Sequence, residues 1–258
     1  MKHSIDTTVI SQEMLSDGIY SLVLHAPAIA SEAGAGQFIG LYSRDQSRLL
    51  MRPISLCGID AAAGTLRLVY RVTGAGTGTE EFSLCRPGDT LRAIGPLGNG
   101  FPLDKAEGKR VILIGGGIGI PPLLEAGKRL SERPAAVLGY RDALFLDKEF
   151  EDLCDTCIAT ESGSAGTKGT VLDAIREQGV TGDMIFACGP MPMLRAVKVY
   201  ALEKGMPAYL SLEERMACGI GACLGCVCRT AQEDPHSHVH NARVCQDGPV
   251  FECREVEL

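Results

Sequence analysis

Apolar and polar positions change their rhythm twice along this chain. Up to residue 104 the apolar positions come in short runs: SLVLHAP (21–27), QFIGLYS (37–43), TLRLVYRV (65–72) and DTLRAIG (89–95). Turn-forming stretches such as AAAG and RPGD separate them. Short strands at this spacing predict an antiparallel β-barrel or sandwich, and GPLGNGFPLD (95–104) reads as its exit loop. From 105 to 207 strands and helices alternate. KRVILIGG is a continuous apolar run ending in glycine, the pattern of a buried parallel strand, and PPLLEAGKRLSE (121–132) follows as a helix. AAVLGYRD (135–142), CIATES, VLDAIREQG, MIFACGP and MPMLRAVKVYALEKG continue the alternation, which predicts an α/β domain with a parallel sheet. From 208 to 258 little periodicity remains. So few apolar positions bury little core unaided, and a bound metal centre would supply the missing stability. The expected organisation is therefore multi-domain, with boundaries at 1–104, 105–207 and 208–258.

Composition narrows the class. Of 258 residues 45% are hydrophobic and 22% charged, which sets the chain apart from disordered and fibrous sequences. No apolar run approaches the roughly 20 residues of a membrane-spanning helix. The opening MKHSIDTTVISQEM lacks the apolar centre of a secretory signal, so a cytoplasmic protein is expected. A net charge of −7 disfavours nonspecific binding to nucleic acid or anionic membranes. The 11 cysteines are odd in number and unevenly spaced, with five between Cys218 and Cys245. That disfavours a disulfide framework and favours a metal or cluster site in a reducing compartment.

The most specific motif is Cys218-Gly-Ile-Gly-Ala-Cys223-Leu-Gly-Cys226, followed by Cys245. A C-x4-C-x2-C…C spacing is the plant-type ligand pattern for a [2Fe–2S] cluster. Four soft thiolates hold two irons, and Gly219, Gly221, Ala222 and Gly225 let the backbone fold closely around the sulfides. A structural zinc site and incidental buried cysteines are the alternatives. Cys228 and Cys253 are spare and read as buried thiols. Cys154 and Cys157 form a C-x-x-C without the surroundings of a redox motif. His236, His238 and His240 alternate in a polar stretch that reads as a surface loop.

Gly115-Gly116-Gly117-Ile-Gly119-Ile-Pro121-Pro122 follows an apolar strand and opens a helix. Such a loop brings backbone and helix N-terminus close to a pyrophosphate, and the prolines occupy positions whose N–H groups are free in any case. Cys188-Gly189-Pro190 ends a later strand of the same sheet, where α/β sheets face their ligand crevice. In the first region, Arg52-Pro53-Ile54-Ser55 offers a cationic fork and a hydroxyl. Val69-Tyr70-Arg71 and the loop Gly74 to Thr79, with Gly76 and Thr77, add an aromatic face and polar groups. Together they would form a site for an anionic cofactor; singly, each reads equally as a solvated loop. No paired carboxylates, G-x-S-x-G elbow or Walker A loop is present.

On GQF (36–38), RPIS, VYR, GTGT, GGGIGIPPLL, CGP, SLEERMACGIGACLGCVC and VCQDGPVF, the chain resembles the ferredoxin reductase superfamily. Within it, the chain is most similar to the electron-transfer subunits of NAD-dependent dihydroorotate dehydrogenase B. The resemblance implies an FAD-binding barrel, an NAD-binding α/β domain and a C-terminal [2Fe–2S] segment. It places Arg52, Pro53, Ile54, Ser55, Val69, Tyr70, Arg71, Gly76 and Thr77 at FAD. Ser55 would bond the reactive edge of the flavin as the catalytic contact. Gly115, Gly116, Gly117, Gly119, Cys188, Gly189 and Pro190 would position NAD, and Cys218, Cys223, Cys226 and Cys245 would ligate the cluster. The superfamily often has an aromatic residue where Ile54 stands, which makes Tyr70 an alternative stacking partner. The implied activity is electron transfer from an FMN-containing catalytic partner through the cluster and FAD to NAD⁺ in pyrimidine biosynthesis, in a heterotetramer with two copies of each subunit. The alternatives are an NAD(P)H-oxidising subunit of a hydrogenase or ferredoxin:NADP oxidoreductase type, and a zinc-stabilised interaction module. Arg141, after the second strand of the α/β domain, could read a 2′-phosphate, whereas the resemblance favours NAD.

Overall fold

The computed structural model describes residues 1–45, 47–233 and 238–258. The barrel is built from β1 (His3–Ser16), β2 (Ile19–His25), β3 (Phe38–Leu41), β4 (Arg52–Asp60), β5 (Thr65–Arg71) and β6 (Thr90–Leu97). They close in the order β1-β2-β5-β4-β3-β6, all antiparallel, with β6 pairing back onto β1. Two short helices, α1 (Pro27–Ala30) and α2 (Gly78–Ser83), lie in its connections. Period-2 alternation points Leu22, Leu24, Leu66, Leu68 and Leu91 into the barrel, each fully buried.

Two barrel strands lie outside the sequence expectation, for physical reasons. β1 is long and mostly polar, and register shifts at Val9/Ser11 and Met14/Ser16 break its alternation. β4 carries Pro53, a residue that argues against a central strand. At Pro53, however, β4 pairs only with β3, and its pairing with β5 starts at Leu56. The proline thus occupies a locally one-sided stretch.

The second layer is a seven-stranded sheet in the order β10-β9-β8-β7-β11-β12-β15. Its strands are β7 (Val111–Gly116), β8 (Ala135–Tyr140), β9 (Asp155–Thr160), β10 (Thr167–Lys168), β11 (Met184–Cys188) and β12 (Ala208–Ser211), all parallel, with β15 antiparallel at the edge. Helices α3 (Pro121–Arg129), α4 (Asp147–Leu153), α5 (Val171–Glu177) and α6 (Met191–Glu203) connect them. β7 and β11 are buried at every position, as strands covered on both faces must be. α3 starts on two prolines and ends on Lys128 and Arg129, the polarity its dipole favours. α5 starts on a capping box between Thr170 and Asp173. Strand order reverses around β7, so the crevice at its carboxyl end is the switch point where such sheets bind ligands.

The tail beyond 208 is woven into the rest. It supplies β12 and β15 (Val250–Glu252) to the sheet, and a small sheet of β13 (Val227–Thr230), β14 (Asn241–Arg243) and β16 (Val256–Glu257) in the order β14-β13-β16. Cys226 and Cys245 share one buried cluster with Phe38, Met51 and Leu97 of the barrel and Ile114 and Leu210 of the parallel sheet. Among the described residues no helix is long and apolar enough to cross a membrane.

Candidate functional site

A cleft of 330 Å³ opens between barrel, sheet and tail. It lies at the lower end of the roughly 300–1,000 Å³ usual for small-molecule sites. Arg52, Pro53, Ile54, Ser55, Val69, Tyr70 and Arg71 all line it, so β4 and β5 bring both sequence motifs to one place. The cleft also takes Thr79 of the polar loop, and residues to which the sequence reading assigns no individual role: Phe38, Thr73, Ile118, Ser211 to Glu214, Met216 and Pro249. Ile118 comes from the glycine loop and Met216 from the stretch leading into the cysteine loop. A signal for the latter lies in SLEERM, which adjoins the cysteine motif in sequence.

The cleft suits a flavin with a diphosphate tail. It carries two guanidinium groups, several hydroxyls and an apolar wall of Ile54, Val69, Tyr70 and Leu212. Gly78 packs closely beside Arg52, where a Cβ would stand a tight 3.1 Å from Arg52 Nε. Tyr70 is nearly buried, its ring stacked on Tyr20 at 6.1 Å and edge-on to Phe82 at 6.3 Å, while Gln12 Nε2 donates to its hydroxyl at 2.9 Å. The ring is thus a fixed part of the wall. Gly76 and Thr77 differ from the expectation of a donor-rich open loop. Gly76 N–H donates to Glu80 Oε2 at 2.6 Å, and Thr77 Oγ1 donates to Gly74 O at 2.7 Å, so these donors are used within the loop. On the far wall, loss of solvent raises the Glu213 carboxyl above its ordinary range, with Arg71 pulling the other way.

The glycine loop sits at the switch point. Its glycines serve mainly the packing of the two strand-end loops against each other. A Cβ at Gly119 would collide with the Cys188 carbonyl, and one at Gly116 with Met193 and Pro190. Gly115 is met by Ile120 and Leu123. Gly117 alone of the four combines a left-handed φ of 52° with a clear approach: a Cβ there would meet nothing closer than Arg71 Nη2 at 3.7 Å. A Cβ at Gly189 would meet Met193 Cε at 2.5 Å and Gly116 N at 3.0 Å. Cys188 is buried, and burial pushes its thiol up to about 12, which marks a packing role for the sulfur. Arg141 is largely exposed beside Asp142.

The cysteine loop turns through left-handed residues at Gly219, Gly221 and Leu224. Leu224, with φ 56°, is the costly one, since a side chain there is disfavoured by about 1–2 kcal/mol; backbone strain of this kind gathers at functional sites. The sulfurs meet in pairs. Burial pushes the Cys218 thiol up, yet N–H groups of Ile220, Cys223 and Ala222 and the Cys223 thiol converge on it and bring it down to about 6. Ala222 N–H lies 3.3 Å from Cys218 Sγ. Cys245 N–H donates to Cys226 Sγ at 3.4 Å, and burial followed by the Cys226 thiol raises Cys245 to about 12. Cys218 and Cys223 face solvent more, whereas Cys226 and Cys245 are buried. Among the described residues no three His, Cys, Asp or Glu side chains converge to hold one metal ion. A two-plus-two set of thiols with N–H groups aimed at sulfur suits a binuclear iron–sulfur cluster better than a single zinc.

The remaining candidates stand apart. Cys228 is half-buried in β13, and Cys253 is buried in the core shared with the sheet. Burial raises both Cys154, to about 12, and Cys157. His238 faces Glu233 at 3.1 Å and His240 faces the Thr230 carbonyl at 3.3 Å, both on the surface. His236 lies outside the described residues.

Comparison with known proteins agrees with this geometry. The oxidoreductase FAD-binding domain model matches residues 6–101, and the iron–sulfur cluster binding domain of dihydroorotate dehydrogenase B matches residues 213–257. The dihydroorotate dehydrogenase B (NAD(+)) electron transfer subunit of Geobacillus sp. (strain WCH70) is 45% identical over 258 residues, covering 97% of each chain. That of Geobacillus thermodenitrificans (strain NG80-2) is 44% identical with the same coverage. Among solved structures, that of the NADH-dependent reduced ferredoxin-NADP oxidoreductase superposes with a TM-score of 0.86 at 28% identity, covering 97% of this chain and 89% of the other. At this identity over nearly the full length, the chain belongs to the family of electron transfer subunits of dihydroorotate dehydrogenase B (NAD(+)).

Proposed function

We propose that this chain carries electrons between a catalytic dihydroorotate dehydrogenase subunit and NAD⁺ during pyrimidine biosynthesis. One observation supports the reading above the rest: a single cleft is lined both by Ile118 of the glycine loop and by Met216, two residues before Cys218. When bound, FAD there exchanges hydride with nicotinamide and single electrons with a [2Fe–2S] cluster, which is why a flavin belongs between the two.

The chain's own residues supply binding and orientation. Arg52 and Arg71 neutralise the diphosphate, with Gly76 and Thr77 shaping the loop beside it. Pro53, Ile54, Val69 and Tyr70 form the wall, and the Ser55 hydroxyl holds the reactive edge of the ring. Gly115, Gly116, Gly117 and Gly119, with Cys188, Gly189 and Pro190, shape the nicotinamide side. The pairs Cys218 with Cys223 and Cys226 with Cys245 would hold the cluster, whose chemistry is one-electron transfer. The working units are the barrel 1–104, the nucleotide domain 105–207 and the cluster segment 208–258.

The partner is an FMN-containing subunit that oxidises dihydroorotate, assembled in the cytoplasm with two copies of each chain. Co-expression tests this. Dihydroorotate-dependent NAD⁺ reduction is expected only from the copurified pair, at a mass near that of two copies of each. A chain that oxidises NADH but stays apart from that subunit belongs instead to another redox complex of the ferredoxin:NADP oxidoreductase or hydrogenase type.

A further inference from the structure

Met51 is 1% exposed and immediately precedes Arg52, the first cleft residue of β4. Its thioether fills two absences at once. On one side it occupies the place a Cβ would take at Gly40 of β3. On the other, its Cε and Sδ occupy the place of a Cβ at Gly219, the residue after Cys218, where Leu97 of β6 also stands at 3.3 Å. Gly219 is buried and left-handed (φ 67°), whereas its neighbour Ile220 is exposed. The entry to the cysteine loop is thus held at two points. Met216 ties it to the cleft through Ala217, and Met51 ties it to the barrel strand that forms the cleft's floor. Neither glycine has room for a Cβ while the methionine is in place, and the flexible unbranched thioether reaches both.

We infer that Met51 is a positioning residue for electron transfer: wedged between Gly40 and Gly219, it holds the Cys218–Cys223 edge of the cluster loop at a fixed distance from the flavin cleft. The inference rests on the relay proposed above and names the contact that sets its spacing. Interactions behind a metal's direct ligands change affinity or activity by about 10–100-fold when removed, and small displacements from productive geometry act on the same scale.

The test uses the full chain purified anaerobically with its cofactors. One NADH, oxidised to NAD⁺ and a proton, reduces two clusters by one electron each. Stopped-flow mixing with NADH reads flavin bleaching and cluster reduction in one trace, and the electron paramagnetic resonance spectrum of the reduced cluster reads its surroundings. In Met51→Ala the ratio of cluster-reduction rate to flavin-reduction rate falls about 10–100-fold and the cluster spectrum broadens; Met51→Leu restores part of both. Gly40→Ala displaces the same thioether from the β3 side without altering the cluster loop, and gives the same loss should Met51→Ala fold poorly. A wild-type ratio and spectrum in either folded variant overturns the inference. A wild-type chain whose cluster NADH does not reduce overturns the relay itself, and the two failures are thereby distinguished.

Discussion

The carboxylate of Glu125 accepts the amide of Ile59 at 3.1 Å, joining α3 of the nucleotide domain to β4 of the barrel. Its other oxygen accepts from Arg129 Nε at 2.7 Å, and the residue is 2% exposed. α3 begins just past the glycine loop, so this bond sets how that loop meets the flavin cleft. Glu125→Ala leaves a half-buried N–H without its acceptor, which costs about 1 kcal/mol. The expected fall in melting temperature is roughly 2–4 °C per kcal/mol in a chain of this size. Glu125→Gln keeps an acceptor and loses less. Thermal unfolding of both variants checks the order.

Gly119 faces the Cys188 carbonyl and the Gly189 amide, and both obstacles are backbone. Gly119→Ala therefore pushes the two strand-end loops apart. NADH-dependent flavin reduction slows while bound FAD is retained, because the β4 and β5 residues proposed to hold FAD are untouched. Steady-state kinetics against NADH, beside the flavin-to-protein absorbance ratio, separates the two. Equal loss of flavin and of rate would contradict the assignment.

Arg52 lines the cleft and lies beside Gly78. Removing a charge-assisted contact costs about 1.5–3 kcal/mol, so Arg52→Ala weakens FAD binding by roughly 10–100-fold. Arg52→Lys recovers only part, since a point charge cannot replace a fork. Titrating flavin-stripped protein with FAD measures both.

Thiol reactivity gives a pH signature. In cluster-free protein Cys218, held down to about 6, is largely thiolate at pH 7 and protonated at pH 5. Cys154 and Cys188, pushed up to about 12 by burial, stay protonated across that range. Alkylation followed by mass spectrometry should label Cys218 with an inflection near 6 and leave Cys154 and Cys188 unlabelled until the chain unfolds. Early labelling of Cys188 would contradict its packing role.

The sequence carries much of this, unevenly. The cysteine loop is readable because ligand spacing is itself the chemistry, and the buried strands β7 and β11 because continuous apolar runs leave little choice. β1 escapes because bulges scramble its alternation. β12 escapes because four buried residues, AYLS, at the start of a cysteine-rich tail carry no sign of which sheet they join. The expected pyrophosphate role of the glycine loop comes from its place after a strand. Only the structure shows that Gly116 and Gly119 also serve the close approach of Met193, Pro190 and Cys188. Glu125 had a weak signal: a lone charge among Leu123, Leu124 and Ala126 on a helix buried nearly all round. Met51 had none, since its role depends on two glycines far apart in the chain.

The most direct test is to purify the chain anaerobically, assay iron, acid-labile sulfide and zinc, and add NADH while recording the visible and paramagnetic resonance spectra. The account predicts about two irons and two sulfides per chain, flavin bands that NADH bleaches, and the signal of a reduced binuclear cluster. Zinc in place of iron, or a bleached flavin beside a cluster that stays oxidised, would contradict it.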